Sequence, residues 1–229
     1  MTSSLGTRDP WRLSIDHLRT AGPKWSGIIE RIGPCLLRPR RDRFGTLVRA
    51  IIGQQISTKA AASIDAKLRL AQPLNVHDPA SLVVLGETGL RACGLSGVKA
   101  RYVLNLTDAV LSNRIPLARI GRLTDEDIIE RLTEVKGIGR WTAEMFLIFA
   151  LNRPDVLPVH DLGVRVGLRD LFELPDLPKP AHCHELTTSW RPHRTVAMWY
   201  LWRLVEASSK KKTAKIVSPE EILSTRLPT

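Results

Sequence analysis

Apolar residues along the chain recur mainly at helical spacing. From Phe44 they fall at positions 44, 47, 48, 51 and 52, which lie on one face of a helix. The segment MFLIFAL, residues 145–151, is apolar on every side, so its helix is expected to be buried. No βαβ rhythm, dependable strand alternation or solenoid-length repeat interrupts this pattern. The pattern therefore predicts an all-α protein.

Residues suited to helix termini divide the pattern into separate helices. Each predicted start carries a side chain that can accept a hydrogen bond from the first turn. These residues are Ser57 or Thr58, Asp78 (followed by Pro79), Ser96, and Thr124 with Asp127 as a capping box. The residues from Ala207 onwards are polar and partly basic. We expect them to form a loosely ordered tail with a short helix over Pro219–Ser224.

Composition narrows the class of protein. The 229 residues carry a formal net charge of +11, and 43% are hydrophobic, as in an ordinary globular protein. No run reaches the roughly 18 apolar residues of a membrane span, and the N-terminus lacks a signal-peptide pattern. The three cysteines are too few and too scattered for a disulfide framework, so we expect an intracellular protein. The charge indicates either a polyanionic partner, most often nucleic acid, or a generic basic surface.

The stretch VKGIGRWTA, residues 135–143, predicts an anion site. Gly137 and Gly139 permit a tight turn between two helices. The second helix then begins with N–H groups that lack partners and with the positive end of its dipole. Lys136 and Arg140 add charge beside it. On a nucleic acid the bound anion would be a backbone phosphate, read without regard to sequence.

VKGIGRWTA resembles the helix-hairpin-helix motif of the DNA glycosylase superfamily. LVRAIIGQQIS (47–57) and DVLPVHDLGVR (155–165) resemble two further segments of it, and the likeness covers about residues 44–206. The nearest branch is 3-methyladenine DNA glycosylase II. The resemblance implies two helical lobes, one of about residues 1–45 with 165–206 and one of 46–164, followed by the tail 207–229. Because the hairpin arrives by residue 137 and the leading segment is helical, we expect the N-terminal β domain of larger relatives to be absent.

Asp161 is the candidate catalytic residue. By itself, an aspartate before LGVRVGLRDLF is an N-cap, and a cap also fixes the carboxylate. The resemblance implies that this carboxylate stabilises the cationic sugar and orients or deprotonates water as the base departs. His160 is interpreted as a local contact.

A base in duplex DNA must leave the stack to be cut, which requires a wedge and a pocket. The resemblance assigns the wedge to Gln54 and Gln55, with Ile56 as a nearby alternative wedge. The other interpretation of the two glutamines is a simple polar loop. It assigns the pocket walls to Trp141 and Trp202, although either indole could instead be core. Cation–π attraction to these indoles would favour a positively charged alkylated purine. Met145 and Leu162 stand where the bacterial type has further aromatics.

The resemblance also assigns contacts to the hairpin. Its DNA-binding residues are Lys136, Gly137, Ile138, Gly139, Arg140 and Thr142. Backbone carbonyls of Thr133, Val135 and Ile138 are the candidate ligands of a monovalent cation, Na⁺ or K⁺. No catalytic cofactor is implied, and three cysteines cannot supply the four ligands of an iron–sulfur cluster.

Together these features predict a monofunctional glycosylase that releases 3-methyladenine, 7-methylguanine and related bases from double-stranded DNA. In lyase members of the superfamily a lysine stands at the position of Trp141, so the Schiff-base nucleophile is missing here. The alternatives are a glycosylase with lyase activity on oxidised bases and a hairpin module that only binds DNA. We expect a monomer, located in the cytoplasm or nucleoid of a bacterium or the nucleus of a eukaryote.

Overall fold

The computed structural model describes residues 10–216, with side chains through residue 208, and within these the regular elements are all helical. This confirms the predicted all-α class. The α-helices are α1 (Arg12–Thr20), α2 (Lys24–Ile32), α3 (Arg43–Gly53), α4 (Thr58–Leu70), α5 (Pro79–Ala92), α6 (Gly97–Leu111), α7 (Asp125–Thr133), α8 (Arg140–Phe149), α9 (Leu162–Phe172), α10 (Pro180–Leu186) and α11 (Arg194–Ile216).

The chain divides into two compact units. Among the described residues, unit 1 contains 10–37 and 159–216, and unit 2 is Arg38–Pro158. Sequence analysis placed these boundaries near residues 45 and 165. Because the second boundary lies before Asp161, the candidate catalytic residue belongs to unit 1, whereas the hairpin belongs to unit 2.

Aromatic side chains form the centre of unit 1. The rings of Trp25 and Trp190 meet edge to face with centroids 5.0 Å apart, and Tyr200 lies 6.2 Å from Trp25. The Tyr200 hydroxyl donates to the carbonyl of Gly33 at 3.0 Å, which satisfies its polar end. Helices α9 and α11 approach closely at Gly167, which has no side chain. A Cβ at this position would come within 2.9 Å of the Leu201 side chain. The middle of α9 therefore packs directly against α11.

Helix α8 is the core of unit 2. Its residues Thr142–Ile148 are all buried, which confirms the predicted burial of this helix over residues 145–148. Helix α3 packs against it in the antiparallel direction. At one end the Gln54 side chain reaches Thr142 at 3.0 Å, and at the other the Arg40 N–H donates to the carbonyl of Phe149 at 2.8 Å. Gln54 and the hairpin turn therefore lie at the same end of unit 2.

The predicted N-caps are confirmed. Each accepts a hydrogen bond from a backbone N–H of the first helical turn. The pairs are Ser57 with Ala60, Asp78 with Ser81, Ser96 with Lys99, and Thr124 with Asp127 in a complete capping box.

The first part of the tail differs from the expectation of loose order. Helix α11 is 23 residues long and continues through Ile216, so residues 207–216 are helical rather than loosely ordered. Alanine and lysine have high helix propensity, and the helix continues from the packed turns that precede it. The short helix expected over Pro219–Ser224 lies outside the described residues. Within the described part of the chain, no helix combines the length and the apolarity needed to cross a membrane.

Candidate functional site

Asp161 is held by two donors at the start of α9. Its Oδ1 accepts the backbone N–H of Val164 at 2.8 Å, which makes it the N-cap of the helix. The same Oδ1 accepts the indole N–H of Trp202, from α11, at 2.9 Å. Both donors therefore hold the same carboxylate oxygen. The carboxylate is thus fixed in position and remains half-exposed.

Gly163 makes this arrangement possible. A Cβ at this position would lie 3.0 Å from Cδ1 of Trp202 and 3.1 Å from Oδ1 of Asp161. These separations are tighter than ordinary van der Waals contact. Any larger residue would displace the indole, the carboxylate, or both. The local sequence gives no sign of this role for Gly163, because the crowding comes from Trp202 on α11.

The neighbours of Asp161 are mostly open to solvent. Leu162 is 63% exposed in the first turn of α9, and His160 is exposed on the preceding loop. Trp202 is half-buried. Unit 1 therefore presents an aspartate, an indole and an apolar side chain together.

The two hairpin glycines have different structural roles. Gly137 has a φ of +106°, and a Cβ there would overlap the ring of Tyr102 on α6. Gly139 has an ordinary φ of −95° and nothing within 4 Å of its Cβ position. It is the N-cap of α8 and has no side-chain cap, so the first N–H groups of the helix lack that partner. Gly137 is required by the turn, whereas Gly139 keeps the approach to the helix end open.

The two basic residues of the hairpin also differ. Lys136 is exposed, and its carbonyl accepts from the Asn105 side chain at 3.1 Å. Arg140 donates to both carboxylate oxygens of Glu126, at 2.6 and 2.9 Å, and its Nε lies 3.3 Å from Glu144. The hydrogen bond with Glu126 raises the pKa of Arg140 and lowers that of Glu126. The charge of Arg140 is therefore largely offset within unit 2, and Lys136 carries the accessible charge.

The wedge segment is attached to the hairpin. The Gln54 amide donates to the Gly137 carbonyl and to the Thr142 hydroxyl, both at 3.0 Å. Gln55 adopts a φ of +56° and is exposed, as is Ile56 at 38%. The polar side chain of Gln54 is thus engaged within unit 2, whereas Gln55 and Ile56 are available to a ligand.

Lys99 on α6 stabilises the same segment. Its Nζ donates to the carbonyl of Ile52 at 2.7 Å and to that of Gln54, which satisfies the last carbonyls of α3. Burial lowers the pKa of this ammonium. Nothing local in the sequence indicates this role, because Lys99 lies 45 residues beyond Gln54.

The remaining predicted residues of unit 2 differ in exposure. Trp141 is half-buried in the first turn of α8, Met145 is 6% exposed, and the side chain of Thr142 is 2% exposed. Val135 and Ile138 are buried, and the Ile138 N–H donates to the Val135 carbonyl at 2.9 Å. Thr133 is the last residue of α7, so its carbonyl accepts no hydrogen bond from within the helix.

The all-helical fold, the GIG hairpin and the helix-capping aspartate define a base-excision DNA repair protein of the helix-hairpin-helix class. Residues 48–192 match the family model described as "HhH-GPD superfamily base excision DNA repair protein". The chain belongs to this superfamily, within its 3-methyladenine glycosylase branch.

Named relatives and solved structures agree with this membership. The chain is 34% identical over 204 residues to DNA-3-methyladenine glycosylase 1 of Schizosaccharomyces pombe, covering 87% of this chain and 90% of the relative. A structure of the S. pombe 3-methyladenine DNA glycosylase in complex with abasic DNA superposes with a TM-score of 0.77 at 35% identity, over 83% of this chain and 95% of that one. A DNA-3-methyladenine glycosidase from Bacillus halodurans gives 0.72 at 30% identity, over 89% and 93%.

Proposed function

We propose that the protein is a monofunctional DNA glycosylase that hydrolyses the N-glycosidic bond of alkylated bases such as 3-methyladenine and 7-methylguanine. The observation that carries this proposal is the Asp161 carboxylate, held by the Val164 N–H and the Trp202 indole N–H at the start of α9. The names of the relatives support the choice of alkylated bases as substrates. A repair enzyme of genomic DNA would act inside the cell.

The chemistry follows from a fixed negative charge. When the bond between C1′ and the base nitrogen breaks, the base takes the electron pair and positive charge develops on the sugar. The Asp161 carboxylate would stabilise that charge, because its position is set before the reaction begins. A water molecule then adds its oxygen to C1′ and gives up a proton, with Asp161 orienting it or accepting that proton. The products are a free base and an intact abasic strand.

Trp202 is the proposed aromatic contact for the flipped base in unit 1, with Leu162 contributing apolar contact, and Trp141 is the indole proposed to contact the base from unit 2. An indole face attracts a cationic purine more than a neutral one, which would favour the methylated base. The N–H edge of Trp202 is directed at Asp161. Only the face of this ring is then available to the base. Met145, at 6% exposure, is largely buried within unit 2, so its proposed contact with the base would be small.

The hairpin is the proposed phosphate site. The uncapped start of α8, the exposed Lys136 and the open position at Gly139 all suit a backbone phosphate. Ile138 and Thr142 are buried, so they would contribute through backbone groups rather than side chains. Arg140 would contribute only after weakening its pair with Glu126. Gln55 and Ile56 are the proposed wedge, with Gln54 supporting their segment.

A monovalent cation, Na⁺ or K⁺, is a further element of this proposal. The carbonyls of Thr133, Val135 and Ile138 lie at the end of α7 and in the turn that follows. Neutral carbonyl oxygens suit such a hard cation. Among them, the Val135 carbonyl also accepts the Ile138 N–H, which uses one of its two lone pairs. The bound cation would present positive charge to the phosphate.

The proposed activity can be tested on duplex DNA treated with dimethyl sulfate. We expect the protein to release 3-methyladenine and 7-methylguanine, identified by mass spectrometry after the DNA is removed. Untreated duplex should release neither base. Failure to release any methylated base would reject the activity and leave a DNA-binding module.

Borohydride should trap no covalent adduct between the protein and the DNA during turnover. A Schiff base needs an uncharged amine beside C1′, and Trp141 supplies none. Arg140 cannot replace a lysine, because its guanidinium stays protonated and its pKa is raised further by Glu126. Denaturing gels should show strand breaks only after alkali. Efficient trapping would instead identify a lyase.

Trp202→Phe should slow base release roughly tenfold, because a hydrogen bond to a charged group is lost while an aromatic face remains. The comparison is made at saturating DNA in single turnover, with affinity for abasic DNA measured separately. In the Asp161→Asn background the same substitution should have a much smaller effect, since the two residues act together. Equal effects in both backgrounds would restrict Trp202 to packing against the base.

A further inference from the structure

Four arginines surround a concavity of about 440 Å³ in unit 2 that the proposed reaction does not use. We define the arginine surface as Arg43, Arg119, Arg122 and Arg153, which line this concavity together with Ala118, Gly121, Ala150 and Leu151. We propose that this surface binds the phosphates of a second segment of nucleic acid, apart from the duplex at the hairpin.

Two of the arginines are fixed by backbone carbonyls. Nη1 of Arg43 donates to the carbonyls of Leu117 and Ala118, the latter at 3.0 Å. Nη2 of Arg153 donates to the carbonyls of Gly121 and Leu123, at 3.0 and 2.8 Å. These bonds remove much of the side-chain freedom that a surface arginine would lose on binding.

Gly121 lies next to the side chains of Arg43 and Leu151. A Cβ there would lie 3.4 Å from Nη2 of Arg43 and 3.4 Å from the Leu151 side chain. The short 3₁₀ turn Ile120–Arg122 therefore folds closely over Arg43. The floor of the concavity is thus built from packed backbone and side chains.

The positive charge of the arginine surface is only partly neutralised by acidic side chains. Asp125 lies 3.1 Å from Nε of Arg153 and offsets part of its charge. Arg119 and Arg122 are exposed, and within the described part of the chain neither forms an ion pair or a side-chain hydrogen bond. Arg41, two residues before Arg43, is exposed as well. Neighbouring like charges repel one another, and an anion between them would relieve this repulsion.

The arginine surface lies at the end of unit 2 opposite to the hairpin. Because α3 and α8 are antiparallel, Arg43 at the start of α3 lies near Leu151, just beyond the end of α8. The hairpin and Gln54 lie at the other end of the same two helices. The ten residues of α8 separate the two ends by about 15 Å. The arginine surface and the hairpin therefore lie at opposite ends of α3 and α8.

Phosphates suit this surface better than an acidic protein segment. Guanidinium groups donate two parallel hydrogen bonds to phosphate oxygens. The apolar side chains of the lining are two alanines and one leucine. They provide too little apolar surface to bind the aromatic or aliphatic anchor residues of a peptide. A DNA repair protein with phosphate sites at both ends could pass from one DNA segment to another without full release. This inference rests on the proposed function only in taking DNA as the ligand of the hairpin.

Transfer kinetics test the proposal. The protein is bound to a labelled duplex containing a tetrahydrofuran abasic analogue, and unlabelled duplex is added at increasing concentrations. For the unsubstituted protein we expect the dissociation rate to rise with competitor concentration, because the competitor binds before the first duplex leaves. In Arg119→Gln/Arg122→Gln the slope of this rise should fall about tenfold, since two phosphate contacts are lost.

The matched control is Arg31→Gln/Arg91→Gln, which removes the same charge from two exposed arginines outside the surface. It should keep most of the original slope. A dissociation rate independent of competitor in the unsubstituted protein would overturn the proposal. So would equal slopes in the two double variants, which is the result expected if the surface serves an acidic protein. Base release from methylated DNA by the same preparations tests the proposed function separately.

Discussion

Asp161→Asn should reduce the single-turnover rate of base release by about a thousandfold or more, as expected when a central electrostatic contact to the transition state is lost. Asparagine keeps the shape and an Oδ1 that can still accept from Val164 and Trp202. It lacks the negative charge that would balance the sugar cation. The rate is measured with excess protein on a duplex containing one 7-methylguanine.

The control for this variant is its affinity for duplex containing an abasic analogue, which should remain close to that of the unsubstituted protein. Its melting temperature should change little, because an asparagine is also a good N-cap. Base release at the unsubstituted rate would remove Asp161 from the proposed mechanism. Loss of both folding and affinity would reveal a structural role instead.

Gly137→Ala and Gly139→Ala should weaken DNA binding for different reasons. Gly137 has a positive φ and is packed against Tyr102, so a methyl group there should destabilise the protein by about 1–3 kcal/mol or more. Gly139 has free space around its Cβ position, so alanine there should leave the melting temperature nearly unchanged. Its methyl group would still obstruct a phosphate at the start of α8, and affinity should fall roughly tenfold.

Thermal melting and titration with undamaged duplex at several salt concentrations separate these two effects. For Gly139→Ala, the loss of affinity should be similar for unrelated DNA sequences, because phosphates carry no sequence information. The hairpin assignment would fail if Gly139→Ala bound DNA normally. It would also fail if the affinity of the unsubstituted protein for undamaged duplex did not depend on salt concentration.

The features that the sequence predicted are mostly local. Ser57, Asp78, Ser96 and Thr124 cap their helices because the side chain and the N–H it accepts from are three residues apart. Such contacts can be predicted from the sequence alone. The same holds for Asp161 as an N-cap and for the buried helix α8.

The contacts that shape the candidate site join distant parts of the chain. Trp202 donates to Asp161 across 41 residues, and Lys99 supports the Gln54 segment across 45. The pairing of Arg140 with Glu126 depends on how α7 and α8 meet, so the sequence suggested a freely available cation. A helical pattern gives each element, but the position of one helix against another is set by packing.

The most direct test of the proposed function is the release of bases from one duplex sequence containing, in turn, 3-methyladenine, 7-methylguanine, hypoxanthine, an etheno adduct or 8-oxoguanine. Each duplex is incubated with the protein and with Asp161→Asn, and the free base is quantified by mass spectrometry. The proposal predicts release of the methylated purines by the unsubstituted protein, an intact abasic strand, and almost no release by Asp161→Asn. Release of 8-oxoguanine with strand cleavage and no release of methylated purines would contradict it.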